Sequence, residues 1–216
     1  MLLCGIDEAG RGPVLGPMIM AGVTLDEGAV VNLTEMGVKD SKLLSREERE
    51  SLFLKILGVV RSYKIVSISP EAIDAAVEGN NLNKLEARTT CEIINELLPA
   101  KVWIDLPDRN AERYCEIIRS NLVDKKTVLI AEHKADLNYV IVGAASILAK
   151  VTRDRYIELL KEQFGEDFGS GYMSDKKTQD FLEKHWDNDN VHFFRKKWAS
   201  WQNKKIAKEQ TSLGQF

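Results

Sequence analysis

Cysteine is scarce: Cys4, Cys91 and Cys115 make three in 216 residues, an odd number with no Cys-x-x-Cys pair. That argues against a disulfide framework or a zinc knuckle and points to a reducing compartment. Long apolar runs are missing as well. The longest, residues 139–149, contains Gly143 and Ser146 and is too short to span a bilayer. Met1-Leu2-Leu3-Cys4-Gly5 has no basic flank and gives way to Asp7-Glu8, so it does not read as a signal peptide. A cytoplasmic, membrane-free protein is expected. Neither sign of charge dominates, with 30 Lys+Arg against 33 Asp+Glu and a net charge of −3. Such a balance speaks against coating nucleic acid by bulk charge, but it leaves room for a local basic track. Internal repeats, low-complexity linkers and a Gly-Lys-Ser/Thr phosphate-binding loop are all absent, and His133, His185 and His192 lack metal-ligand spacing.

What is present is enough apolar material (44%) for a sizeable core in one domain. Residues 2–6 read as a buried strand and 18–25 as a second, with a Gly/Pro-rich turn at 10–17. Ser45 and Glu48 form a capping box that opens a helix to about residue 57. Val- and Ile-rich residues 61–69 read as a third strand, followed by Pro70 at a first helical position. Helices at 81–98, 109–122 and 140–164 alternate with strands at 101–105 and 127–131. This order indicates an α/β fold on a mixed sheet. Beyond Gly169-Ser170-Gly171 the chain turns helical, aromatic and lysine-rich. The expected division is a catalytic domain at 1–168, a small helical C-terminal lobe at 169–209 and a tail at 210–216.

Asp7 and Asp105 each end an expected strand, and Asp136 follows the fifth by a few residues. Ligands of α/β domains sit at such sheet edges. Hard divalent cations prefer carboxylate oxygens, and two ions roughly 3.5–4 Å apart suit phosphodiester hydrolysis. For any one of these acids, position alone favours a solvated loop residue.

The local motifs separate these readings. Gly5-Ile6-Asp7-Glu8-Ala9-Gly10-Arg11-Gly12-Pro13-Val14-Leu15-Gly16-Pro17 resembles the N-terminal motif of ribonuclease HII, the type 2 ribonucleases H. Asp40-Ser41-Lys42-Leu43-Leu44 resembles the family's second motif. Glu132-His133-Lys134-Ala135-Asp136 with Ala144-Ala145-Ser146-Ile147-Leu148-Ala149-Lys150 resembles its third, and Gly169-Ser170-Gly171-Tyr172 with Ser174-Asp175 its fourth. The blocks keep the family's order over roughly residues 2–200, in a form closest to archaeal members. The chain departs from the pattern at Leu106-Pro107-Asp108, Gly143 and Met173.

The resemblance implies a ribonuclease H-like five-stranded sheet flanked by helices and a metal site of Asp7, Glu8, Asp105 and Asp136 for Mg2+ or Mn2+. It implies hydrolysis of the RNA strand of RNA–DNA hybrids, and cleavage 5′ of ribonucleotides embedded in duplex DNA. Two-metal-ion catalysis would leave 3′-hydroxyl and 5′-phosphate ends, as ribonucleotide excision requires. The main chain of Gly10, Arg11 and Gly12 would approach the ribose closely with Arg11 facing the nucleic-acid backbone, Tyr172 would stack on the neighbouring sugar, and Lys42 would contact a phosphate. Telling RNA from DNA needs contact with the 2′-hydroxyl. Six basic residues, Arg195, Lys196, Lys197, Lys204, Lys205 and Lys208, interleave with Phe193, Phe194, Trp198 and Trp201. They suggest a helix with one packed and one basic face for the nucleic-acid backbone. The tail, with Gln210, Leu213 and Phe216, resembles a sliding-clamp-binding peptide, so PCNA is an expected partner of a monomeric enzyme.

Overall fold

The computed structural model describes residues 1–38 and 44–213, with side chains to Gln210. A mixed five-stranded sheet forms in the order β3-β2-β1-β4-β5. Its central strand β1 (Leu2–Ala9) pairs antiparallel with β2 (Met18–Asp26), from Leu2↔Asp26 to Ala9↔Ile19. On its other side it runs parallel to β4 (Lys101–Asp105), from Leu3↔Lys101 to Ile6↔Ile104. β4 in turn runs parallel to β5 (Val128–Glu132), and β3 (Ser62–Ile68) borders β2. This is the expected fold class. One strand differs: β1 continues three residues past Ile6, because the β2 ladder pairs Asp7 with Ala21 and Glu8 with Met20. The acids that looked like the start of a loop are strand residues.

The helices carry local start signals. Ser45 Oγ accepts the Glu48 amide at 3.1 Å and Glu48 Oε2 accepts the Ser45 amide at 2.6 Å, opening α2 (Arg46–Val59). It follows a short α1 (Val30–Glu35) that sequence patterning does not announce. Ser69 and Pro70 open α3 (Pro70–Glu78); α4 (Leu82–Leu97) follows, then α5 (Ala111–Asn121), capped by Asn110. A single turn, α6 (Ala135–Asn138), precedes α7 (Val140–Phe164), α8 (Lys176–His185) and α9 (Ala199–Leu213). No helix among the described residues is long and apolar enough to cross a membrane.

Two compact units divide the chain. One comprises residues 1–9, 19–67 and 83–152, the other 10–18, 68–82 and 153–216. In the first, β1 and β2 share a core with the opening of α7, where residues 141–149 are all buried. A helix buried all round needs no polar face, which explains why Ala144-Ala145-Ser146-Ile147-Leu148 lacks one. In the second, Val14, Leu15 and Ile157 pack with Phe168, Phe181, Val191, Phe194 and Trp201. The division therefore differs from a cut at residue 168: the aromatic cluster draws in apolar residues from the turn after β1 and from late α7.

Candidate metal centre

The β1–β4 pairing ends at Ile6↔Ile104, so the next residue on each strand is an aspartate. Carboxylate oxygens of Asp7, Glu8 and Asp105 all lie within 4.8 Å of one another. Asp7 is 5% exposed, and its Oδ1 accepts the Glu8 amide at 2.7 Å. Burial pushes its carboxyl up to about 7, and the neighbouring charge of Asp105 adds to this. A hydrogen bond from Ser146, the Glu8 amide and the charge of Lys150 pull the other way. Lys150 Nζ donates to Ser146 Oγ at 3.1 Å, so one face of α7 supports the ligand strand.

Asp105 is oriented from β5's exit, since its Oδ1 accepts the Ala135 amide at 2.9 Å. The adjoining Asp136, buried at the start of α6, stands outside the three-carboxylate cluster. Asp108, the other acid of its segment, is engaged elsewhere: Oδ1 accepts the Asn110 amide at 3.0 Å and Oδ2 accepts Arg113 at 2.7 Å. Buried just before α5, it braces the Asn110 cap and Arg113 and has a structural task. The three thiols are buried, and burial raises the pKa of each, so none is set up as a nucleophile.

In the second unit Gly10 adopts φ 81°, a conformation that favours glycine. Gly12 is exposed, and a methyl group placed on it would lie 3.8 Å from Tyr172 Cε1. Gly10, Arg11, Gly12 and Tyr172 are thus neighbours. Lys42 lies outside the described residues, as does Phe216; the backbone of Gln210 and Leu213 continues α9. The basic helix face differs from its sequence outline. Arg195 is fully buried, Lys197 pairs with Glu78, and Lys204 and Lys208 both pair with Glu183. Those acids come from α3 and α8, outside the basic segment.

The family model for ribonuclease HII matches residues 4–201. The chain belongs to the ribonuclease HII family. It is 47% identical to the ribonuclease HII of Thermococcus onnurineus, over all of this chain and 99% of that one. The crystal structure of ribonuclease H2 from Pyrococcus horikoshii superposes with a TM-score of 0.87 at 39% identity, covering 96% of this chain and 98% of that one. The PCNA:RNase HII complex from Archaeoglobus fulgidus gives 0.77 at 42% identity, covering 85% and 86%. The protein is accordingly an enzyme, a ribonuclease H acting as an endonuclease.

Enzymes of this family work with divalent metals, and the residues present fit one. All the donors are hard carboxylate oxygens, and crowding like charges around the buried Asp7 raises a cost that a cation relieves. Sequence reasoning passed over Ser146 and Lys150 as actors. Their four-residue spacing puts them on one helix face, but only the fold shows that this face meets Asp7.

Proposed function

We propose that this enzyme hydrolyses the RNA strand of RNA–DNA hybrids and cuts on the 5′ side of ribonucleotides embedded in duplex DNA. The products would carry 3′-hydroxyl and 5′-phosphate ends. The observation that carries this reading is the convergence of the Asp7, Glu8 and Asp105 carboxylates within 4.8 Å on the central strands of a ribonuclease H sheet. Asp7, Glu8, Asp105 and Asp136 would hold two ions of Mg2+ or Mn2+. When bound, the pair supplies activation of water and stabilisation of the leaving oxygen.

The remaining work falls to the chain itself. The Glu8 amide and Ser146 hold the Asp7 carboxylate in place, and the Ala135 amide fixes Asp105. Orienting ligands from behind in this way sets their geometry before substrate arrives. No side chain needs to attack phosphorus, which agrees with three buried thiols. Gly10, Arg11 and Gly12 would contact the 2′-hydroxyl, Tyr172 would stack on the adjoining sugar, and Lys42 would meet a phosphate. Gln210, Leu213 and Phe216 would engage a sliding clamp, in keeping with the A. fulgidus relative solved with PCNA.

The decisive experiment incubates the protein with duplex DNA containing one ribonucleotide, with and without Mg2+ or Mn2+, and maps the ends. Metal-dependent cleavage 5′ of the ribonucleotide is expected, with all-DNA duplex intact and Asp136→Asn inactive. Equal cleavage of all-DNA duplex, or full activity of the variant, would refute the reading.

A further inference from the structure

Arg195 is fully buried, and among the described residues its hydrogen-bond acceptors are three main-chain carbonyls and no carboxylate. Nη2 donates to Gly10 O at 2.6 Å, Nη1 to Arg11 O at 2.9 Å and Nε to Gly16 O at 3.0 Å. The Arg195 guanidinium lies 5.3 Å from the Trp198 ring centroid, and the Trp198 indole N–H donates to Gly12 O at 2.9 Å. Every carbonyl of the Gly-Arg-Gly triplet therefore has a donor from one short segment, residues 195–198.

A trans peptide points its N–H opposite to its C=O. Drawing the Gly10 and Arg11 carbonyls onto the guanidinium thus turns the amides of Arg11 and Gly12 the other way. The position also admits no side chain in place of Gly10. A methyl group on it would sit 2.2 Å from Arg153 Nε, and its φ is already 81°. Arg153 is itself buried, hydrogen-bonded to Ser170 O at 3.2 Å and placed 5.2 Å from the Tyr172 ring. Buried charge–dipole hydrogen bonds of this kind are stronger than neutral ones and cost more to leave unmade.

We infer that Arg195 and Trp198 are positioning residues for substrate recognition, fixing the Gly10–Gly12 peptides so that their amides face the ribose. This inference rests on the proposal that the triplet reads the 2′-hydroxyl. It assigns Arg195 a role inside the fold and not on the nucleic-acid backbone. Preset donors spare the enzyme the ordering cost at the moment of binding.

The test compares wild type with Trp198→Phe, which removes one N–H and keeps a ring, and with Arg195→Lys and Arg195→Met. Three quantities are measured: kcat/KM on duplex DNA with one ribonucleotide, affinity for all-DNA duplex without metal, and melting temperature. Arg195→Lys, which weakens a buried charged hydrogen-bond set, should lower kcat/KM roughly tenfold, and Trp198→Phe, which removes one neutral exposed bond, roughly threefold; both should leave all-DNA affinity within about twofold. Arg195→Lys should recover part of what Arg195→Met loses. If Arg195→Met does not fold, Trp198→Phe and Arg195→Lys decide. Folded variants with wild-type kcat/KM would overturn the inference, as would an equal loss of all-DNA affinity, which marks general structural damage. Cleavage of all-DNA duplex by the wild type as fast as the ribonucleotide duplex would instead defeat the ribose-reading proposal, and the inference with it.

Discussion

At the scale of single residues, two aspartates three positions apart have opposite tasks. Asp105 faces Asp7 and Glu8, whereas Asp108 serves the Asn110 amide and Arg113. Asp105→Asn should abolish cleavage with little change in melting temperature, and Asp108→Asn should keep the cleavage chemistry but lose about 1–2 kcal/mol of stability, the scale of a weakened hydrogen bond to a charged group. Burial would raise the Asp108 carboxyl, but the Arg113 bond and the Asn110 amide outweigh it and hold it below the usual carboxylate range. A depressed folded value means stability that is complete above the unfolded value of about 4 and lost as pH falls through the folded one. Melting curves of wild type and Asp108→Asn should therefore differ most near neutrality and converge in acid. A gap that persists at the lowest pH would contradict this account. The family resemblance already singled out Asp105 as the ligand, but the task of Asp108 was hidden, because it depends on where α5 begins. Ser146, fully buried against Asp7, gives a second prediction. Ser146→Ala should lower activity about 10–100-fold and raise the Mg2+ concentration needed for half-maximal rate, as loss of a ligand's supporting bond does. A metal titration superposable on wild type would speak against that support.

At the scale of elements, most starts were legible because they are chemical and local. The Ser45–Glu48 box, Ser69-Pro70 and the stretch from Val140 to Phe164 all became the expected helices. The end of β1 was not legible, since Asp7-Glu8 reads as a loop until the ladder to β2 is known. A close approach of backbone to backbone between two elements was also hidden. A Cβ on Gly5 would lie 2.4 Å from the backbone of Ile141, so the opening of α7 rests directly on the ligand strand. Backbone cannot swing aside as a side chain can. Gly5→Ala should destabilise the protein by about 1–3 kcal/mol or more, as overpacking does. It should also reduce activity beyond its effect on folding, because Ser146 lies about one and a half turns further along the displaced helix. Thermal melting paired with kcat at a temperature well below the transition checks both; an unaffected kcat would show that α7 does not set the ligand geometry.

At the scale of the molecule, the near-zero charge balance concealed an uneven distribution. Setting aside the four proposed ligands leaves 29 acids against 30 bases, so the overall deficit is the carboxylate site itself. The basic segment near the C-terminus was legible as composition but not as surface. Folding hides Arg195 and brings Glu78 and Glu183 to the lysines. Removing residues 210–216 should abolish pull-down by a sliding clamp and spare hydrolysis in solution; pull-down unchanged by the truncation would place any clamp contact elsewhere. The lysines make a separate prediction. Each phosphate neutralised by a free cation contributes about 0.9 to the slope of log affinity against log salt. Lys204 and Lys208 share one glutamate, so together they offer at most about one uncompensated charge to a nucleic acid. Changing both to Gln should therefore lower the salt slope for duplex binding by less than about one unit. A drop approaching two units would mean that both lysines leave Glu183 for phosphates, and that α9 is a backbone track after all.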